Sequence, residues 1–147
     1  MICYERIPDN VYEYIRGVKQ ALYSDTNVIF AYLFGGLAQG VKKPLSDIDI
    51  AVYVRDVNNL AEYTMNLFFT LSDICKTSEI DLVILNTAPE SLAGRILQHK
   101  MLLIDKEPFK RHTYESVTLR KYFDFAIKEK QILYRRYKIG RYASDSP

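Results

Sequence analysis

Three aspartates, each within a short apolar run, have the residue type and spacing for phosphate chemistry. Asp47 and Asp49 open the run DIDIAVYV, and Asp81 lies in the run IDLVIL. Successive side chains of a strand alternate sides, so Asp47 and Asp49 share one side while Ile48 and Ile50 take the other. Like charges this close favour a bound cation, and carboxylate oxygens are ligands that Mg²⁺ selects. If the two strands are neighbours, the three carboxylates can hold two Mg²⁺ ions about 3.5–4 Å apart, the arrangement that supports nucleotidyl transfer.

Two glycines supply the other half of this candidate site. Gly35 and Gly36 follow the apolar run VIFAYLF directly. Residues without a side chain let a backbone turn approach a phosphate and point N–H groups at it. Lys42 and Lys43 lie between the glycines and the aspartates, where their charges can reach a triphosphate. Alone, a Gly-Gly pair is most often a turn and an Asp-x-Asp pair a solvated strand end, so the prediction depends on their combination.

The elements that must position these residues follow from apolar periodicity. Three- and four-residue spacing indicates helices, short apolar runs indicate strands, and Asn58 or Asn59 is a candidate cap for the second helix. Predicted helices cover about 9–23, a stretch after 59, 89–97 with Pro89 in its first turn, and about 113–138; predicted strands cover 28–34, 47–54, 80–85 and 101–104. The predicted fold class is α+β, sandwich-like, with helices packed on a small mixed sheet. We expect one domain over 1–147, ending in a mobile tail.

The predicted last helix combines apolar and basic residues. Its apolar side is expected to include Val117, Tyr122, Phe123, Ile127 and Leu133. Its end and the tail carry cations among tyrosines, at Lys128, Lys130, Arg135, Arg136, Lys138 and Arg141. Such a pattern can bind RNA or an acidic protein surface, but it also describes a solvated helix end. We favour a solvated end or a protein partner over direct nucleic-acid binding.

Composition narrows the class of protein. The chain has 147 residues, 48% hydrophobic and 26% charged, with a net charge of +2, which is ordinary for a globular domain. Cys3 and Cys75 match no metal or redox spacing and are interpreted as free thiols, with Cys75 semi-buried. His99 and His112 are expected on the surface, which disfavours a nucleophilic triad. No signal-like start and no span of roughly 20 apolar residues is found, so we expect a cytoplasmic protein without membrane contact.

The segment LFGGLAQGVKKPLSDIDIAVYV resembles the signature of the polymerase-β-like nucleotidyltransferase superfamily. That signature is a strand ending in Gly-Gly or Gly-Ser, a connecting segment, and Asp-x-Asp in the next strand. The short chain is similar to the minimal nucleotidyltransferases, or MNT proteins. Many of these are antitoxins paired with a small helical HEPN toxin, an RNase.

The resemblance implies an activity and a set of site residues. Members of the family use Mg²⁺ and ATP to place AMP on a tyrosine of the toxin, which neutralises it. By this resemblance Asp47 and Asp49 bind both metal ions, and Asp81 binds one and helps to activate the incoming hydroxyl. Gly35 and Gly36 hold the nucleotide phosphates.

The same resemblance shows where this chain departs from the pattern. Ser46 matches the serine that usually precedes Asp-x-Asp, but many members have serine in place of Gly36 and arginine in place of Gln39. These departures keep a non-catalytic antitoxin, which blocks its toxin by binding, among the alternatives. A transferase for small molecules such as aminoglycosides is the other alternative. The basic C-terminal half counts against it, because a polycationic substrate needs an acidic pocket.

Overall fold

The structure is a computed structural model that describes residues 11–35 and 48–137. The described elements are α1 (Val11–Ser24), β1 (Val28–Phe34), β2 (Ile48–Val54), α2 (Leu60–Cys75), β3 (Ile80–Ile84), α3 (Glu90–Gln98), β4 (Met101–Asp105) and α4 (Pro108–Tyr137). Every helix and strand predicted from the sequence is present. The predicted mobile tail, Cys3 and the start of the first helix at Asp9 lie outside the described residues.

One mixed sheet runs through the described part of the chain, with the strand order β3-β2-β1-β4. β2 and β3 are parallel, whereas β1 is antiparallel to both β2 and β4. The last residues of β1 therefore lie at the same end of the sheet as the first residues of β2 and β3. This confirms the predicted α+β class and brings three of the predicted site residues, Gly35, Asp49 and Asp81, to one end of the sheet.

Helices cover both faces of the sheet. α1 and α2 close one face, where Val18, Leu71 and Ile50 belong to a single buried apolar cluster. α3 and the first half of α4 close the other face over Phe30 and Ala51. β1 is buried on both faces, which explains why its sequence VIFAYLF is continuously apolar instead of alternating.

Local signals fix the helix ends. The Asn59 side chain accepts a hydrogen bond from the Glu62 backbone N–H at 3.1 Å, so of the two candidate caps Asn59 is the N-cap of α2. Lys76 ends the same helix in the left-handed conformation at φ 55°. Pro89 was expected inside the first turn of α3, but it occupies the N-cap position just before that helix.

The last helix begins earlier than predicted. It begins at Pro108 instead of residue 113, because proline fits the first helical position and the Glu107 carbonyl accepts a hydrogen bond from the Arg111 N–H at 3.0 Å. Tyr122 packs so closely on Gly94 that a Cβ there would overlap its ring. The other four residues of the predicted apolar side are exposed and do not belong to the described core. Their exposed fractions are 37% for Val117, 48% for Phe123, 55% for Ile127 and 44% for Leu133.

A polar network anchors α4 to the sheet. Tyr32, fully buried in β1, donates a hydrogen bond to the Glu115 carboxylate at 2.6 Å. Arg111 donates to the same carboxylate at 3.1 Å and to Asp105 at 2.8 Å. Burial alone raises the pKa of Glu115, but the hydrogen bond from Tyr32 and the charges of Lys100 and Arg111 outweigh it, so that pKa is lowered. Burial, followed by the bond to Glu115, raises the pKa of Tyr32.

Replacing Tyr32 by phenylalanine tests this anchor. Tyr32→Phe removes a donor to a partly buried carboxylate, and we expect the free energy of unfolding at neutral pH to fall by about 1–3 kcal/mol. A carboxylate with a lowered folded-state pKa stabilises above its unfolded pKa, and that contribution is lost as the pH falls through the folded pKa. The difference in the free energy of unfolding between wild type and Tyr32→Phe should therefore become smaller below pH 4.5, the ordinary pKa of this carboxyl.

Urea unfolding curves across this pH range measure the effect. Tyr23→Phe is the matched control, because Tyr23 is 68% exposed and the change should stay within about 0.5 kcal/mol. A difference that does not change with pH would contradict the assigned role of Glu115.

Candidate active site

The turn that ends β1 requires a glycine. Gly35 has φ +74°, in the left-handed region that residues with a side chain rarely adopt. A Cβ at this position would also overlap the carboxylate of Asp49. The missing side chain therefore lets the backbone turn and the carboxylate lie against each other.

Asp49 and Asp81 are register partners on neighbouring parallel strands. Asp49 pairs with Asp81 on its β3 side and with Phe34 on its β1 side. Ile48 and Ile50, the chain neighbours of Asp49, belong to the α1–α2 apolar cluster, so strand alternation directs Asp49 to the opposite face. The same holds for Asp81, whose neighbours Ile80 and Leu82 pack against that cluster. Neither carboxylate points into that interior.

Burial distinguishes the two carboxylates. Asp49 is half-buried between its neighbouring strands, while Asp81 is exposed on the edge strand β3. Paired residues on adjacent strands lie roughly 5 Å apart, close enough for a cation to contact both carboxylates. Their oxygens are the donors that Mg²⁺ prefers, so these residues fit a magnesium ion. Asp81 on β3 thus lies beside Asp49, as the sequence predicted.

The remaining predicted site residues lie outside the described residues, within 36–47. They are Gly36, Lys42, Lys43, Ser46 and Asp47. Within the ranges 11–35 and 48–137, no group of three His, Cys, Asp or Glu side chains is placed to hold a metal ion. The described part of the site therefore consists of Gly35, Asp49 and Asp81.

Sequence reasoning missed an apolar groove beside Asp81. A cleft of about 750 Å³ separates α2 from β3. Its lining residues are Leu60, Ala61, Thr64, Met65, Phe68, Phe69, Ile80, Asp81, Leu82, Ile84 and Thr87. Met65 and Phe69 are 59% and 57% exposed. The available signal was their four-residue spacing on a side of the helix different from that of the buried Leu67 and Leu71.

Other reactive side chains stay apart from this site. His99 and His112 are both exposed, as predicted, His99 at the end of α3 and His112 on α4. Cys75 is a free thiol, 3% exposed and so more buried than expected, and burial raises its pKa to about 11. It is therefore protonated and unreactive near neutral pH. Among the described helices, none combines the length and apolar character that a membrane span requires.

Solved structures with the same fold come from toxin–antitoxin complexes. A chain of a toxin–antitoxin complex with AMP-PNP matches at a TM-score of 0.65 and 24% identity, covering 82% of this chain and 94% of that one. A MntA–HepT toxin–antitoxin complex matches at 0.64 and 22% identity, covering 83% and 95%. A Shewanella oneidensis complex, a tri-AMPylated HEPN toxin with an MNT antitoxin, matches at 0.61 and 20% identity, covering 81% and 95%.

Sequence comparison identifies the family. A search of curated proteins finds no match. The family model described as polymerase beta, nucleotidyltransferase matches residues 17–109, which is more than half of the chain and spans Gly35, Asp49 and Asp81. The chain belongs to the polymerase beta nucleotidyltransferase family.

Proposed function

We propose that this chain is an MNT-type antitoxin that transfers AMP from ATP to a tyrosine of a partner HEPN-type toxin and so neutralises it. The observation that carries the proposal is the register pair of Asp49 and Asp81 beside the Gly35 turn, in a chain of this nucleotidyltransferase family. Two neighbours with the same fold support it, since one was solved with AMP-PNP and another with a tri-AMPylated HEPN toxin. The buried free thiol of Cys75 suits a reducing cytoplasm.

The proposed chemistry is an in-line displacement at the α-phosphorus of ATP. The bond from the tyrosine oxygen to the α-phosphorus forms, the bond from that phosphorus to the bridging oxygen breaks, and pyrophosphate leaves. Asp81, on the exposed edge, helps to take the proton of the attacking hydroxyl. Two Mg²⁺ ions, when bound, neutralise the triphosphate charge and lower the pKa of the hydroxyl.

The proposed roles divide between the two sides of the site. Asp47 and Asp49 would hold both Mg²⁺ ions, and Asp81 would hold one of them. The backbone at Gly35 and Gly36 binds the phosphates of ATP. Ser46, Lys42 and Lys43 complete the nucleotide site.

Replacing the paired carboxylates tests the transfer. In this test the protein is incubated with three components: ATP labelled on the α-phosphate, Mg²⁺, and the protein encoded by the adjoining gene. Asp49→Asn and Asp81→Asn should each lower the labelling rate by at least about 10³-fold, because each removes charge that holds the metal ions. Binding of the partner, measured by calorimetry, should stay within a few-fold of wild type. A wild-type chain that binds and inhibits the partner without labelling it would support the non-catalytic antitoxin instead.

Gly35→Ala tests the turn. The added Cβ meets the Asp49 carboxylate and the backbone strain costs about 1–2 kcal/mol, so we expect AMP-PNP affinity to fall by about tenfold or more. Titration calorimetry measures this affinity. Ser78→Ala, in an exposed loop before β3, is the control and should bind as wild type. Unchanged affinity in Gly35→Ala would show that the turn does not contact the nucleotide.

Removing metal separates activity from folding. We expect EDTA to abolish labelling while shifting the melting temperature by less than about 3 °C, because apolar side chains fill the described core without metal. Differential scanning fluorimetry with and without EDTA measures the shift. A much larger drop would make the metal part of the fold.

A further inference from the structure

The order of residues across the end of the sheet defines two sides of the site. The Gly35 turn lies on the β1 side of Asp49, and Asp81 lies on the other side, on the edge strand β3. In an in-line displacement the attacking and leaving oxygens occupy opposite sides of the phosphorus. If the phosphates lie at the Gly35 turn, the acceptor hydroxyl approaches from the β3 edge. No further strand covers that edge within the described sheet.

The α2–β3 groove begins at this edge. Only residues 76–79 join the end of α2 to the start of β3, so the helix returns along the strand and Phe69 lies nearer to Asp81 than Leu60 does. Met65 and Phe69 contribute exposed apolar surface to the groove. Among the described residues of its lining, Asp81 is the one that carries a charge. An occupant of the groove therefore meets an apolar surface along its length and reaches Asp81 across the edge strand β3, since strand alternation directs that carboxylate to the other face of the sheet.

We propose that the α2–β3 groove binds the acceptor segment of the partner protein through an apolar side chain close to the modified hydroxyl. This inference rests on the proposed function. The groove suits an apolar peptide side chain, because such a side chain would bury the exposed apolar surface of Met65 and Phe69. A polycationic small molecule is disfavoured, since one carboxylate cannot match several charges. β3 also exposes an edge at which an extended segment can lie.

Exposed groove residues can be changed with little risk to the fold. The test variants are Phe69→Lys and Met65→Lys, with Phe69→Leu as the conservative variant. Phe109→Lys is the matched control, because Phe109 in the first turn of α4 is 85% exposed and lies outside the groove lining. The readouts are the labelling rate against partner concentration at saturating ATP and Mg²⁺, and AMP-PNP affinity by calorimetry.

We expect Phe69→Lys and Met65→Lys each to lower kcat/KM for the partner by about tenfold or more. AMP-PNP affinity should stay within twofold, and Phe69→Leu and Phe109→Lys should label the partner at close to the wild-type rate. Labelling within twofold of wild type in both lysine variants would overturn the inference. So would an equal loss of AMP-PNP affinity, which would mean that the groove holds the nucleotide. A wild-type chain that labels no partner at all would instead refute the proposed function on which the inference rests.

Discussion

The site depends on one constraint, the pairing of two aspartates at the starts of adjacent parallel strands. Asp49 and Asp81 lie in register, and the Asp49 carboxylate is packed against a glycine in the left-handed conformation. Two like charges in this position favour a bound cation. This pairing does not disturb the packing of the core, because Ile48 and Ile50 are buried in the apolar cluster on the opposite face of the sheet. Strand alternation therefore lets one short segment serve both the fold and the candidate site.

The two helical layers hold the sheet by different means. The α1–α2 layer is an apolar cluster, whereas the α3–α4 layer adds the hydrogen bonds and ion pairs of Tyr32, Arg111 and Glu115. β1 carries both Tyr32 and the Gly35 turn, so the network fixes α4 to the strand that ends in the site. An interaction buried between sheet and helix can in this way set the position of the turn at Gly35.

Much of this arrangement could be predicted from the sequence. The bounds of β1 follow from its apolar run, and the face on which Asp81 lies follows from alternation, but its register with Asp49 is set by the pairing of β3 with β2. The start of α4 was predicted too late, because its first turn is held by contacts of Arg111 with other elements and not by apolar periodicity. The spacing of Met65 and Phe69 signals only an exposed apolar side of α2, and the groove was missed because a cleft also needs the separation of two packed elements, which spacing along one helix does not encode.

Two of the exposed apolar surfaces on the described residues differ in their position relative to the candidate site. The distal half of α4 continues beyond the contact of Tyr122 with Gly94, and Phe123 and Phe125 on it are about half exposed. That half of α4 contributes no residue to the described lining of the α2–β3 groove. The groove includes Asp81 in its lining, so a segment that fills it lies beside the candidate site. Holding a partner protein and presenting its hydroxyl, the two tasks that the proposed function sets, can therefore use different surfaces of this molecule.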